Sequence, residues 1–499
     1  MHERYEDQMI TEVWSDPGKL MRWEEVELAV IQALENLEMA PLGICAKIRS
    51  DLEEHPIDLE WWKERDNQVH HDLNAFLDER RRHIAPELQQ YWHKDITSYD
   101  TEEPSFVKAL QLSYMRVIML TEALLQTLHQ MAEKYCNLPM MARTHGQEAQ
   151  LQSFGKRCLS WHKEMQIAMQ ELTKAGGNLG YSKLSGAIGN YGGIDPRVEK
   201  AALRLLALTP FHGATQIMPR IIYQPLANAL CGIVCVGNKI ALDVRLGARS
   251  GRPLCHEPFG KKQMGSSAMP HKKNTILTEQ MEGMESMVKG YLLMITDRIK
   301  TWEERAIEQS CVERVAWPDL FHVTIRCLNV MNKVLSGLVV YPDNMMLEII
   351  ESCGCYASNA AKEFLKERAL TVGLTVEEAY RIVQLAAFNA FQPNSMAQGI
   401  REHWSEELGN YGQAEECMNR LAATDWRRRT SIKEIIALGN LKIAPELEAS
   451  QDDVNRWNTA LGCLFSNSEI KYEWEKLFTL RYHLKHEHVL FGAVLYGTD

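Results

Sequence analysis

Disulfide-like spacing is missing from this sequence: its twelve cysteines are scattered and never fall as CxxC. In a chain of this size they read as reduced, buried thiols of a cytoplasmic protein rather than a disulfide framework. A membrane-length apolar run is missing too. The most apolar region, LANALCGIVCVGNKIALDV, holds an unbroken stretch only between Asn228 and Asn238, which reads as far too short to span a bilayer. The first residues, MHERYEDQMITEVWSD, are charged and lack the apolar core of a signal peptide. Basic charge is in deficit: the formal net charge of -11 argues against a general nucleic-acid binder. It leaves room for an anionic ligand, because a few focused cations can dominate a pocket. Alternating strand patterns are scarce, and no short repeat, low-complexity tract or flexible linker appears, which implies packed domains.

What the sequence does have is helix. With 499 residues it is long enough for two or three domains and a large core. KLMRWEEVELAVIQALENL sets Leu20, Trp23, Val26, Leu28, Ala29, Ile31 and Leu34 mostly at three- and four-residue steps, an amphipathic stripe. SFVKALQLSYMRVIMLTEALLQTLHQMAEKY, LQSFGKRCLSWHKEMQIAMQELTKA, IIYQPLANALCGIVCVGNKIALDVRLGAR and TILTEQMEGMESMVKGYLLMITDRIKTW are longer runs of the same kind. Helices this long and apolar bury against other helices. The expected fold is all-α: three helical domains with a central bundle of long helices. YWHKDITSYDTEEP, with Pro104, interrupts the helical pattern, and a second break falls near VVYPDN and SCGCYASN. The domains are therefore expected at 1–96, 97–345 and 346–499.

The stretch MGSSAMPHKKN, Met264 to Asn274, cannot be a regular helix. Gly265 lets the backbone approach a ligand, and Ser266 and Ser267 supply hydroxyls and successive N–H groups. Lys272 and Asn274 lie near the start of the following helix, where N–H groups and the dipole favour anions. By itself such a stretch is more often a loop with a capping serine. Three other segments join it: ARTHGQEAQ with Thr144, His145 and Gln147, VHHDLNAF with His70, His71 and Asp72, and HKDITSYD with His93, Thr97, Ser98 and Asp100.

GSSAMPHKKN resembles the signature loop of the fumarase/aspartase superfamily, whose members eliminate fumarate from succinyl compounds. RYEDQMITEVWSDPGKLMRWEEVELAV, HHDLNAF, ITSYD, RTHGQEAQLQSFGKR, LSGAIGNYGGIDPRVE, ATQIMPR, EPFGKKQMGSSAMPHKKN and WEERAIEQSCVERVAWPD then follow in the order seen in the adenylosuccinate lyase family. The resemblance covers the chain to about residue 390.

It implies cleavage of adenylosuccinate to AMP and of SAICAR to AICAR, each releasing fumarate. Ser266 would be the general base, needing strong help because a serine hydroxyl is not ionised at neutral pH. Lys272 and the helix N-terminus are the sources of that help. His145 would be the general acid, an imidazole whose ordinary pKa of about 6.5 suits the task. His71 would hydrogen-bond the substrate and support that acid. Lys272 and Asn274 would hold the succinyl carboxylates, and Thr97, Ser98, Thr144 and Gln216 the fumaryl and nucleotide parts. Arg4, Tyr5, Arg305, Ser310 and Arg314 match positions that hold the nucleotide phosphate, a role suited to the guanidinium fork. No cofactor and no metal is implied, and the partners are the small-molecule substrate and other copies of the chain in a homotetramer with shared active sites.

The sequence departs from the family pattern at Met264 (usually lysine), Thr275 (usually proline), Ala306 (usually aspartate) and Ile221 (usually an acid), and in the EQSC stretch. LDERRRHIAPELQQYW and the tail beyond about residue 440 are longer than the family leads one to expect. A same-fold lyase acting on another succinyl adduct such as argininosuccinate, and a helical binding protein without the chemistry, are the alternatives. His483, His486 and His488 cannot share one face of a helix and read as a solvated surface rather than a metal site. GAIGNYGG is not GxGxxG and follows no strand, so a dinucleotide fold has no support.

Overall fold

A computed structural model describes residues 1–390 and 430–498. The chain forms two compact units. The first comprises Met1–Leu128, Trp161–Arg249 and Cys255–Val339, and the second His129–Ser160, Ser250–Leu254 and Val340–Asp499.

The first unit is helical, as the periodicity predicts. Helix α1 (Asp16–Asn36) starts where the Ser15 side chain accepts the Gly18 N–H and Pro17 occupies the first turn, a favoured helix opening. It buries Leu20, Trp23, Val26, Ile31 and Leu34, the stripe read from the sequence. Helices α2 (Leu59–Val69) and α3 (Asp72–Arg81) pack as a pair. The bundle is built from α4 (Ser98–Lys134), α5 (Phe154–Gly176), α6 (Gln224–Gly247), α7 (Ile276–Asp297) and α8 (Glu308–Ser336). The last three pack on one another around fully buried side chains such as Leu230, Val234, Met281, Trp317 and Phe321. Trp161 of α5 donates its indole N–H to Asp243 of α6 at 2.7 Å.

Two expectations need correction. Pro104 does not break the helical pattern, because α4 begins at Ser98 and runs through it. Asp100 fixes the start: its carboxylate accepts the Thr97 N–H at 2.9 Å and pairs with Lys183 Nζ at 2.7 Å, both side chains fully buried. With the first turn so held, a proline in the second turn removes one helix hydrogen bond without ending the helix. The apolar run at 228–238 also belongs to a longer element. The helix spanning Arg220–Gly247, 28 residues, is long and apolar enough to cross a membrane by length and composition. Its packing against α7 and α8 is that of a bundle's core helix.

The second unit carries an element the periodicity does not predict, an antiparallel hairpin of β1 (Pro139–Thr144) and β2 (Gln147–Ser153). Met140 pairs with Gln152 and Met141 with Leu151, but Arg143 pairs with Glu148 and Thr144 with Gln147. The register shift makes a bulge of Ala149 and Gln150 opposite Ala142, which sharpens the local twist. The other core of this unit gathers Leu385, Ile436, Trp457, Leu461 and Trp474 from short helices on both sides of the undescribed segment. No disulfide joins cysteines among the described residues.

Candidate active site

In the first unit a cleft of about 680 Å³ is lined by Asp66, Asn67, His70, His71, Asp72, Glu102, Arg305, Ala306, Ile307, Ser310 and Arg314. Four of the residues expected from sequence, His71, Arg305, Ser310 and Arg314, therefore share one cavity. His70 closes α2 in the left-handed conformation (φ 53°), and His71 begins α3. His71 Nδ1 accepts the Asn74 N–H at 3.3 Å, so the ring proton belongs on Nε2. That nitrogen lies 3.5 Å from Ser98 Oγ, and Thr97 directly precedes Ser98 at the start of α4.

The cationic wall is held from behind. Arg305 donates to Gln216 Oε1 at 3.0 Å and lies over the Tyr99 ring at 4.1 Å. Gln216 in turn donates to the Ala187 carbonyl at 2.9 Å. Burial pushes the Tyr99 phenol up to about 12, so it stays neutral beside the guanidinium, with its oxygen accepting from Gln309 at 3.1 Å. Ser310 is 9% exposed and donates to the Ile307 carbonyl at 3.0 Å.

Arg314 donates to Asp72 Oδ2 at 3.0 Å, and Lys19 Nζ reaches the same oxygen at 3.3 Å. Burial works against the Asp72 charge, but Lys19 and Arg314 outweigh it and hold the carboxyl below its ordinary value. Glu102 goes the other way. Burial first, then the neighbouring Asp72 charge, raises it to about 7, against Arg314, Arg305 and Lys19. Lys19, Asp72, Glu102 and Tyr99 are the residues that sequence reasoning left out of the site. Asp72 was signalled by its place after His71; Lys19 and Glu102 sit on helix faces with no local mark.

The signature stretch forms a closed loop in the same unit. Asn274 Nδ2 donates to the Gly265 carbonyl at 2.8 Å, and a Cβ on Gly265 would overlap the Lys272 carbonyl, so only glycine fits at this neck. Ser266 Oγ accepts the Met269 N–H at 3.1 Å. Ser267, Lys272 and Lys273 are exposed and Ser266 half-buried. The expectation that the helix N-terminus is free for an anion is corrected here. Buried Glu257 fills it, accepting the N–H groups of Leu277 at 3.1 Å and Thr278 at 3.0 Å, and the Thr278 hydroxyl at 3.0 Å. The anion at that dipole is the protein's own. His256 ties the loop from the other side, with Nε2 3.1 Å from the Lys273 carbonyl.

Arg4 and Tyr5 form a 3-10 turn and do not line the cleft. Thr144 and His145 belong to the second unit. His145 and Gly146 are the two loop residues of the hairpin, both left-handed at φ 53° and 76°, as a type I′ turn requires. The His145 side chain is exposed at the tip. Among the described residues, no cluster of three histidine, cysteine or acidic side chains could hold a metal ion.

The bundle of long helices is the fold of the fumarase/aspartase superfamily, and the chain is a C–N lyase of that superfamily. The profile of the family described as Lyase matches residues 19–290, more than half of the chain, and the chain belongs to that family. Among curated relatives, the adenylosuccinate lyase of Thermotoga maritima is 34% identical over 391 residues, 78% of this chain and 89% of its own length. That of Aquifex aeolicus is 32% identical over 392 residues, 79% of this chain and 89% of its own length. Among solved structures, beta-carboxy-cis,cis-muconate cycloisomerase from Acinetobacter calcoaceticus superposes with a TM-score of 0.74 at 17% identity, covering 99% of this chain and 98% of its own. A fumarate lyase from Mesorhizobium gives 0.70 at 19% identity, covering 93% and 99%. These two share the fold.

Proposed function

We propose that the protein is an adenylosuccinate lyase, eliminating fumarate from adenylosuccinate to leave AMP and from SAICAR to leave AICAR. The elimination breaks a C–H and a C–N bond, forms the fumarate double bond and returns a proton to the leaving nitrogen. Ser266 takes the carbon-bound proton and His145 supplies the nitrogen's. Lys272 and Asn274 steady the carboxylates as charge builds on them, the point at which positioned cations and donors count most. His71 hydrogen-bonds the substrate through Nε2 and supports His145. Thr97, Ser98, Thr144 and Gln216 hold the fumaryl and nucleotide parts. Arg305, Ser310 and Arg314, with Arg4 and Tyr5, take the phosphate. No cofactor enters the reaction.

The observation that carries this reading is the cleft, where Arg305, Ser310 and Arg314 stand with His71. A phosphate there replaces Asp72 as the partner of Arg314, a bidentate anion for a monodentate one. Of the departures, Ala306 lines this cleft beside Arg305, and Met264 and Thr275 flank the signature loop, while Ser266, His145 and the cationic set are all retained.

The reading includes a cytoplasmic homotetramer whose active sites draw on more than one copy, and the three-domain division at 96/97 and 345/346. Apolar stripes support assembly: Leu112, Met115 and Met119 are exposed along one face of α4, and Leu242 and Leu246 along α6, in the pattern of faces that pack against copies. Purified protein should release fumarate from adenylosuccinate and not from argininosuccinate, and Ser266→Ala should abolish the release. Fumarate from argininosuccinate alone moves the substrate to the rival adduct. Fumarate from neither leaves the helical binding protein as the reading.

A further inference from the structure

An isolated two-stranded hairpin is marginally stable in water. The β1–β2 hairpin, with His145 at its tip, therefore takes its geometry from what packs against it. Within the second unit, β1 is gripped by Glu348, which takes Arg143 in two hydrogen bonds of 2.7 and 3.3 Å. β2 is gripped by the last residues of the described chain. Leu484, from the short helix Leu480–Leu484, packs on the cluster of Met141, Leu151 and Ile349. Gln150, in the bulge, lines a cleft with Tyr356, Tyr482 and His483.

Glu487 closes the contact. Its carboxylate accepts the Ser153 N–H at 3.0 and 3.3 Å. Ser153 is fully buried, so without Glu487 this N–H would be an orphaned buried donor. Ser153 also caps α5, its Oγ accepting the Lys156 N–H at 2.9 Å, and a carboxylate at a helix N-terminus is favoured. The segment ends with the Tyr496 hydroxyl bonded to Glu133, beside the strand's other approach.

We infer that Leu480–Tyr496 is a strap that positions the His145 hairpin, with Glu487 and Leu484 as its positioning residues. The inference rests on the proposed role of His145 as proton donor. The strap acts through β2: it sets the base and the bulge, and the rigid type I′ turn transmits that setting to the imidazole. A displacement of an ångström at a proton-transferring group costs up to about 100-fold in rate.

The test uses the full chain with Glu487→Ala, Glu487→Gln, Leu484→Ala and His145→Gln, read as kcat and KM for adenylosuccinate and as hydrogen exchange over residues 139–153. His145→Gln should lower kcat by about 100-fold or more. Glu487→Ala and Leu484→Ala should each lower kcat about tenfold with KM within about twofold, and speed exchange in the hairpin. Glu487→Gln keeps an acceptor for Ser153 and should recover most of the loss. Faster hairpin exchange with unchanged kcat overturns the strap while leaving His145 in its role. Full activity in His145→Gln overturns the role of His145 and the strap with it.

Discussion

Replacing Glu257 by alanine tests whether the protein's own carboxylate holds the start of α7 and the neck of the signature loop. Glu257 is 1% exposed and accepts from Leu277 N–H, Thr278 N–H and the Thr278 hydroxyl. The hydroxyl has a second partner in the Thr275 carbonyl at 3.1 Å, so two backbone donors are stranded. At about 1–3 kcal/mol for each unsatisfied donor, the loss is about 3 kcal/mol, with water reaching in past exposed Ile276 setting it toward the low end. Glutamine keeps an acceptor but loses the charge at the dipole, a loss of about 1 kcal/mol. Hydrogen exchange over residues 276–281 reads this opening directly: about two orders of magnitude faster in Glu257→Ala and about fivefold in Glu257→Gln. Exchange in α4, which shares none of these bonds, should not change. Equal exchange in wild type and Glu257→Ala refutes the reasoning, because the helix start would then be held by something other than this carboxylate.

Arg220 is buried with Glu103 at 2.5 Å and Glu313 at 3.2 Å; Arg220→Met should cost about 3–5 kcal/mol in chemical unfolding, and adding Glu103→Gln and Glu313→Gln should restore most of it. Burial first raises Glu313, like Glu102, to about 7. The folded chain thus keeps protons that the unfolded chain has released above the ordinary carboxylate range, and stability from these groups falls as pH rises from about 4.5 to 7. Thermal unfolding between pH 5 and 7.5 should show a shallower fall in Glu102→Gln than in wild type. A Cβ on Gly146 meets no neighbouring atom, yet φ is 76°; Gly146→Ala should therefore cost about 1–2 kcal/mol from backbone strain alone, and Gly146→Asn less, as measured by unfolding of the two variants.

The helices were legible because each carries its own period: the stripe of α1 is complete within its sequence, and the core helix α6 likewise. The hairpin was not. PMMARTHGQEAQLQS lacks alternation, because the bulge at Ala149–Gln150 puts half of β2 out of phase. His-Gly is also an uncommon filling for a turn in which both residues are left-handed. Pro104 misled because the ion pair that stabilises the helix before it joins residues 100 and 183, a distance no local pattern spans. At the site, the loop glycine and serines, His71 and the arginines were readable as residue types. The occupation of the α7 N-terminus by Glu257 was not, since a carboxylate some twenty residues upstream looks like any other.

The bond from Glu487 to Ser153 joins positions 334 residues apart. A ribosome adding about 5–20 residues each second takes on the order of 20–70 s to cover that span. During that interval β2 has been made but Glu487, which accepts its Ser153 N–H in the folded chain, has not. A truncated or prematurely released chain would carry Ser266, the loop and the cationic cleft, all made within the first 340 residues, without the fastening of the second unit. The architecture thus orders its own assembly: residues made long after the hairpin are those that close the unit bearing His145.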